Sequence, residues 1–172
     1  MKTLISVLPH IFDPYFRQKL PHYAFQCALA AISLVFILVI GNTIARTAIV
    51  VGIASSAYTV FVIPHSIAAT PRRVIGGHIV AIVTSSLLIG SVSITSTDTL
   101  GIVTTEILAA ISVGIAILIM VITDTEHPPA AGTSLGLIFN HFGLESIMFV
   151  VFSAVILSII RLILKDKMVN LI

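Results

Sequence analysis

The sequence predicts an all-α, polytopic transmembrane helical bundle, and two observations carry that prediction. The first is composition: 58% of the 172 residues are hydrophobic and only 9% are charged, with a mean hydropathy of +1.16. Soluble domains carry about 25% charged residues, so these side chains cannot build a water-facing shell. The second is patterning: apolar runs recur at the length a bilayer demands, roughly 20 residues within a range of about 17–25. The length suits one unit. We read 1–172 as a single membrane domain, with an interfacial N-terminal segment 1–22, a transmembrane bundle 23–165 and a C-terminal tail 166–172. A formal charge of +2 is too small to point to nucleic acid.

The N-terminal segment does not read as a cleaved signal. Pro9, Pro14, Pro21 and Asp13 interrupt its apolar stretches, and its bases Arg17 and Lys19 come late. Phe12, Tyr15, Phe16 and Tyr23 suit the headgroup region. The first span covers 24–44 and holds no charge. A second follows at once over 47–63, stopped by Pro64, so the two are antiparallel neighbours. The third covers 71–94, with Thr70 as N-cap and Pro71 at the first helical position. A polar stretch around Asp98 separates it from the fourth, 99–123. The last full span, 145–164, is closed by Lys165, Asp166 and Lys167.

Residues 124–144 are too apolar for a solvated loop, and 128–139 reads as a short helix opened by Pro128 and Pro129. Twelve residues reach only about 18 Å, against a hydrocarbon core of about 30 Å. The segment therefore either re-enters or crosses as a short helix. Basic residues favour crossing. With six crossings, Lys2, Arg17, Lys19, Arg72, Arg73, Arg161, Lys165 and Lys167 share the inner side and only Arg46 lies outside. The expectation is five full spans plus one short helix, with both termini cytoplasmic, in the cell's inner (plasma) membrane. Six crossings are also compatible with inverted 3+3 halves, each holding one proline-opened helix.

Small residues recur at helix-packing spacing: Ala48, Gly52 and Ser56; Ser86 and Gly90; Ala110 and Gly114; Gly132 and Gly136. Packing within the chain is the favoured reading, and a homo-oligomer seam stays open. Lipid is the one partner that composition requires. Cys27, the single cysteine, reads as a buried thiol without a disulfide.

Ionisable groups at membrane depth call for a partner or a role. Glu106 and Arg46 share the outer side, which suggests an ion pair. On the inner side Arg72, Arg73, His78, Asp124, Glu126 and His127 gather where two helices start. An arginine–carboxylate network is one reading of that cluster. A small-anion site is the other, because helix N-termini and arginine forks attract oxyanions. No spacing suggests a catalytic set, a metal site or a cofactor loop.

The segment Thr123-Asp124-Thr125-Glu126-His127-Pro128-Pro129-Ala130-Ala131-Gly132-Thr133 resembles the signature of the HPP family of integral membrane proteins. Thr70-Pro71-Arg72-Arg73-Val74-Ile75-Gly76-Gly77-His78 resembles that family's second motif, P-R-x-x-x-G-G-H. The family is described with four membrane helices, fewer than the six read here. Members in plastids and photosynthetic bacteria act as nitrite transporters, so the resemblance implies a transporter or channel for a small inorganic anion. The candidate substrate-binding residues within the motifs are Arg72, Arg73, His78, Thr125, His127, Pro128 and Gly132. Arg46, Glu106, Asp124 and Glu126 are the candidates for ion pairing or proton coupling. The competing functions are an intramembrane enzyme, with Glu126 and His127 as acid–base groups, and a structural or sensing subunit.

Overall fold

Lipid gives a backbone no hydrogen-bond partner, so a chain this apolar must satisfy its peptide groups within helices. In a computed structural model, which describes residues 16–40, 47–93, 102–139 and 143–172, it does so with six. They are α1 (Phe16–Ile40), α2 (Thr47–Val62), α3 (Pro71–Ser93), α4 (Ile102–Ile122), α5 (Pro128–Phe139) and α6 (Leu144–Leu164). Single 3-10 turns follow α2, at Ile67–Ala69, and α6, at Lys165–Lys167. Among the described residues there is no strand.

Four helices, α1, α3, α4 and α6, are long and apolar enough to cross a membrane. The two short ones are α2, at 16 residues, and α5, at 12. At 1.5 Å per residue they reach about 24 Å and about 18 Å. A count of four therefore registers the long helices, and the short pair sits inside them: α5 packs on α2, α3 and α4, and α2 also packs on α1 and α6.

Named contacts fix the direction of every helix. Gln26, in the first half of α1, bonds Phe61 at the end of α2. Ser56 meets His127 while Gly52 meets Thr133, so α2 and α5 are antiparallel. Gly77 meets His127 and Ser85 meets Ser134, so α3 and α5 run the same way. Ser112 of α4 also meets Ser134, and α4 returns into α5 through only five residues. Arg161, near the end of α6, donates to Pro64 beyond the end of α2. Direction thus alternates through all six helices, and α5 takes its turn in that alternation. The start of α1 and the end of the chain lie at the same end of the bundle, where Tyr23 donates to the Leu171 carbonyl at 2.9 Å.

Three local features differ from expectation. Helix α1 begins at Phe16, well before residue 24, and keeps Pro21 inside it. Proline removes one helical hydrogen bond, from the Arg17 carbonyl, at the end of the helix where water and headgroups can replace it. Thr70 precedes α3, but its hydroxyl donates backwards to the Ile67 carbonyl at 2.8 Å. Its own carbonyl accepts from Arg73 and Val74 to start the helix. Cys27 is exposed on the outer face of α1, which corrects the expectation of a buried thiol.

The C-terminal tail folds back as a strap. Met168 and Leu171 are buried, and the Leu171 amide donates to the Val62 carbonyl. Gln26 holds the strap down: its amide nitrogen donates to Phe61 and Val169 carbonyls at 2.5 and 2.8 Å, and its oxygen accepts from the Val169 amide at 3.0 Å. Gln26 is fully buried, so a leucine there would leave these groups without partners. Unsatisfied buried groups cost about 1–3 kcal/mol. Gln26→Leu should lower the unfolding midpoint in detergent and speed tryptic cleavage at Lys167. No change in either would mean the strap is not held by this side chain.

Candidate functional site

The site begins at the five-residue turn between α4 and α5. The Thr125 amide reaches back to the Met120 carbonyl at 2.9 Å and the Asp124 amide to Val121 at 3.4 Å. This double closure needs a left-handed residue, and Asp124 takes φ 54°. Aspartate tolerates that region better than most residues. The turn presents its carboxylate to α3, where Arg72 and Arg73 wait in the first turn.

Both arginines are engaged there. Arg73 contacts Asp124 and also approaches Glu126 at 2.6 Å, an ionic contact not angled as a hydrogen bond. Arg72 lies 3.5 Å from Asp124 and donates to the Thr123 carbonyl at 3.2 Å. Two cations face two carboxylates, so the cap is neutral overall.

The helix starts supply few donors. Pro128 and Pro129 have no N–H, and the Ala130 amide bonds the His127 carbonyl at 2.8 Å. At α3, Pro71 has none, and the Arg73 and Val74 amides both bond Thr70. The prolines that open both helices remove donors that an anion cradle at their N-termini would use, and the Arg73, Val74 and Ala130 amides are already engaged.

Beneath the cap lies a buried imidazole–hydroxyl cluster. His78 and His127 are each 0% exposed, with ring centroids 5.3 Å apart. Ser56 of α2 joins them, its Oγ lying 2.9 Å from Nε2 of His78 and 3.0 Å from Nε2 of His127. Nδ1 of His127 donates to the Ala68 carbonyl at 2.9 Å, and Thr133 of α5 lies 3.1 Å from Nδ1 of His78. Close backbone approach makes this possible. A Cβ on Gly77 would lie 2.7 Å from the His127 Cβ, and one on Gly52 would lie 2.8 Å from the Thr133 hydroxyl.

Deeper along α3 and α5 a second group continues the polar line. Ser85, Ser112 and Ser134, from α3, α4 and α5, are all buried and meet at 2.5–3.2 Å. Beside His127 a cleft of about 260 Å³ opens between α4 and α5, walled by Ile117, Met120, Val121, Pro128 and Ala131, with Glu126 at its edge.

The structure brings together Arg72, Arg73, Asp124 and Glu126 in the cap, and His78 and His127 below it. Thr125 bonds Thr123 at 2.8 Å and packs on Gly76, while Pro128 is exposed at the start of α5. Gly132 faces the Gly52 Cα at 3.8 Å, a packing contact between α5 and α2. Glu106 is exposed on α4, and its proposed partner Arg46 lies outside the described residues, as do Asp98 and His141. Ser56, Thr133 and the serine triad were missed. Ser56 stood in the sequence as a small packing residue, and only its position four residues after Gly52 hinted at the face turned to α5. Among the described residues no group of three metal-ligating side chains occurs.

Fold and site together define a polytopic α-helical membrane protein with a buried imidazole–hydroxyl core under a neutral arginine–carboxylate cap. Both motifs that build this site are those of one family, and the chain belongs to it: the family model described as HPP, transmembrane region, matches residues 16–170. No curated protein and no solved structure matches the chain.

Proposed function

We propose that this protein is a transporter for a small anion, nitrite foremost, placed in the plasma membrane with both termini cytoplasmic. The observation that carries the proposal is the set of buried polar groups running from the cap end into the middle of the bundle: His127, Ser56, His78 and Thr133, and deeper Ser134, Ser85 and Ser112. Hydroxyls can join helices in lipid, but two buried imidazoles among them also offer a small polar solute hydrogen-bond partners along its way. The cleft between α4 and α5 lies beside His127 near the cap. The bundle end that holds Lys19, Arg72, Arg73, Arg161, Lys165 and Lys167 is assigned to the cytoplasm by its positive charge. Nitrite as the substrate rests on the family resemblance.

Purified protein in liposomes should carry nitrite faster than protein-free vesicles, and His127→Gln and Ser134→Val should each slow it by at least about tenfold, the equivalent of about 1.4 kcal/mol. Wild-type rates no higher than those of empty vesicles, for nitrite and for other small oxyanions alike, would overturn the transport reading.

A further inference from the structure

The cluster around Ser56 has five polar contacts, and each needs one hydrogen. They are Ser56 to the Gly52 carbonyl (3.0 Å), Ser56 to His78, Ser56 to His127, Thr133 to His78, and His127 to the Ala68 carbonyl. Two hydroxyls and two neutral imidazoles supply four hydrogens. The Ala68 carbonyl can only accept, so Nδ1 of His127 must hold the hydrogen of that neutral ring. Nε2 of His127 is then bare and accepts from Ser56. His78 in turn donates through Nε2 to the Ser56 oxygen and accepts at Nδ1 from Thr133. The contact left without a hydrogen is Ser56 to Gly52.

One added proton fills the set. Placed on Nε2 of His127, it donates to the Ser56 oxygen, and the Ser56 hydroxyl rotates to the Gly52 carbonyl. All five contacts then hold a hydrogen, and no heavy atom has moved. A second proton has no such place, because it would put two cations 5.3 Å apart in an apolar core and turn Nδ1 of His78 against the Thr133 donor. We infer that Ser56, His78 and His127 form a buried binding site for a single proton, carried on His127 and coupled to passage of the anion.

The charges around the cluster support that role. Arg72 and Arg73 of α3 are neutralised by Asp124 and Glu126 of the α4–α5 turn. From α2 and α5 only the hydroxyls of Ser56 and Thr133 face the imidazoles, and His65, from the turn after α2, is tied to the Met168 carbonyl. Neither arginine of the cap is thus left over to compensate an incoming anion, whereas a protonated His127 carries one positive charge. Anion and proton moving together would be electroneutral, free of the membrane-potential cost of about 2.3 kcal/mol per charge at 100 mV. The coupling rests on the transport reading; the proton site itself does not.

Two measurements separate them. Ring-¹⁵N histidine spectra of the full chain in detergent, with His10, His22, His65 and His141 replaced by glutamine, report each tautomer directly. Near neutral pH, His78 should carry hydrogen on Nε2 and His127 on Nδ1; acidification should produce one imidazolium per chain, at His127. His127→Gln keeps an amide donor for Ala68 and an oxygen for Ser56; it should abolish that imidazolium and leave His78 as the Nε2–H form. Two imidazolium rings, protonation of His78 first, or the opposite His127 tautomer would overturn the site. In liposomes, the initial nitrite rate above that of protein-free vesicles should rise about tenfold per unit of external acidification, before saturation, for one coupled proton. His127→Gln should lose that dependence. Nitrite flux indifferent to pH would overturn the coupling, and absence of flux would overturn the transport reading while the spectra still decide the proton site.

Discussion

Gly77→Ala should be among the most damaging single-methyl changes in this protein, lowering stability by about 1–3 kcal/mol. The added Cβ would lie 2.7 Å from the His127 Cβ, 3.0 Å from the Thr125 carbonyl oxygen and 3.3 Å from the Ala130 Cβ. None of these is the free end of a flexible side chain. Relief requires α5 to move away from α3, and that movement pulls His127 off Ala68 and Ser56. Gly52→Ala acts from the opposite side of α5, with a Cβ 2.8 Å from the Thr133 hydroxyl and 3.2 Å from the Thr133 amide nitrogen. It should cost a similar amount and disturb the His78–Thr133 contact. Gly76→Ala meets the Thr125 methyl at 2.7 Å, which can rotate in part, so its cost should be smaller. Gly90 and Gly114 have open space where a Cβ would go, and alanine there should be neutral. Thermal unfolding in detergent across the five variants checks this order; a Gly77→Ala protein as stable as Gly90→Ala would refute the close α3–α5 approach.

Arg73→Ala should cost about 2 kcal/mol, and Arg72→Ala well under 1 kcal/mol, although the residues are adjacent and both touch Asp124. Arg73 keeps only 18% of its side chain exposed and bridges two carboxylates, whereas Arg72 is 67% exposed. Exposed pairs are worth little because water and salt screen them, whereas removing the mostly covered Arg73 leaves Glu126 without its counterion. The loss should be reversed in part when Asp124→Asn and Glu126→Gln are added to Arg73→Ala, since the stranded carboxylates are then neutral. Arg73→Lys should fall between wild type and alanine, because an ammonium cannot reach two carboxylates as a guanidinium fork does. Equal, additive losses for Arg72→Ala and Arg73→Ala, with no rescue, would show that Arg73 acts only as a surface charge.

How much of this could be read without coordinates depended on the kind of signal. Apolar length and proline positions placed α5 over 128–139, as observed, and set the bounds of α3, α4 and α6 within a few residues. The arginine–carboxylate cap was also legible, because charges are so rare in this chain that six groups at two helix ends stood out. The cluster below it was not. Ser56, His78 and His127 are 22 and 71 residues from partners that their own hydrogen bonds choose, and nothing local relates them. The physical reason is lipid. A helix in water shows its buried side through amphipathic spacing, but these helices are apolar all round, so sequence alone cannot say which face meets protein. Cys27 was therefore placed inside when it faces outward, and Gly90 and Gly114 looked like the packing glycines Gly52 and Gly132 without being so. The sequence by itself determined a membrane bundle, its breaks and its charged cap. Only tertiary structure decided which hydroxyls reach which imidazoles, because that is set by how closely α2 and α3 approach α5 at two glycines.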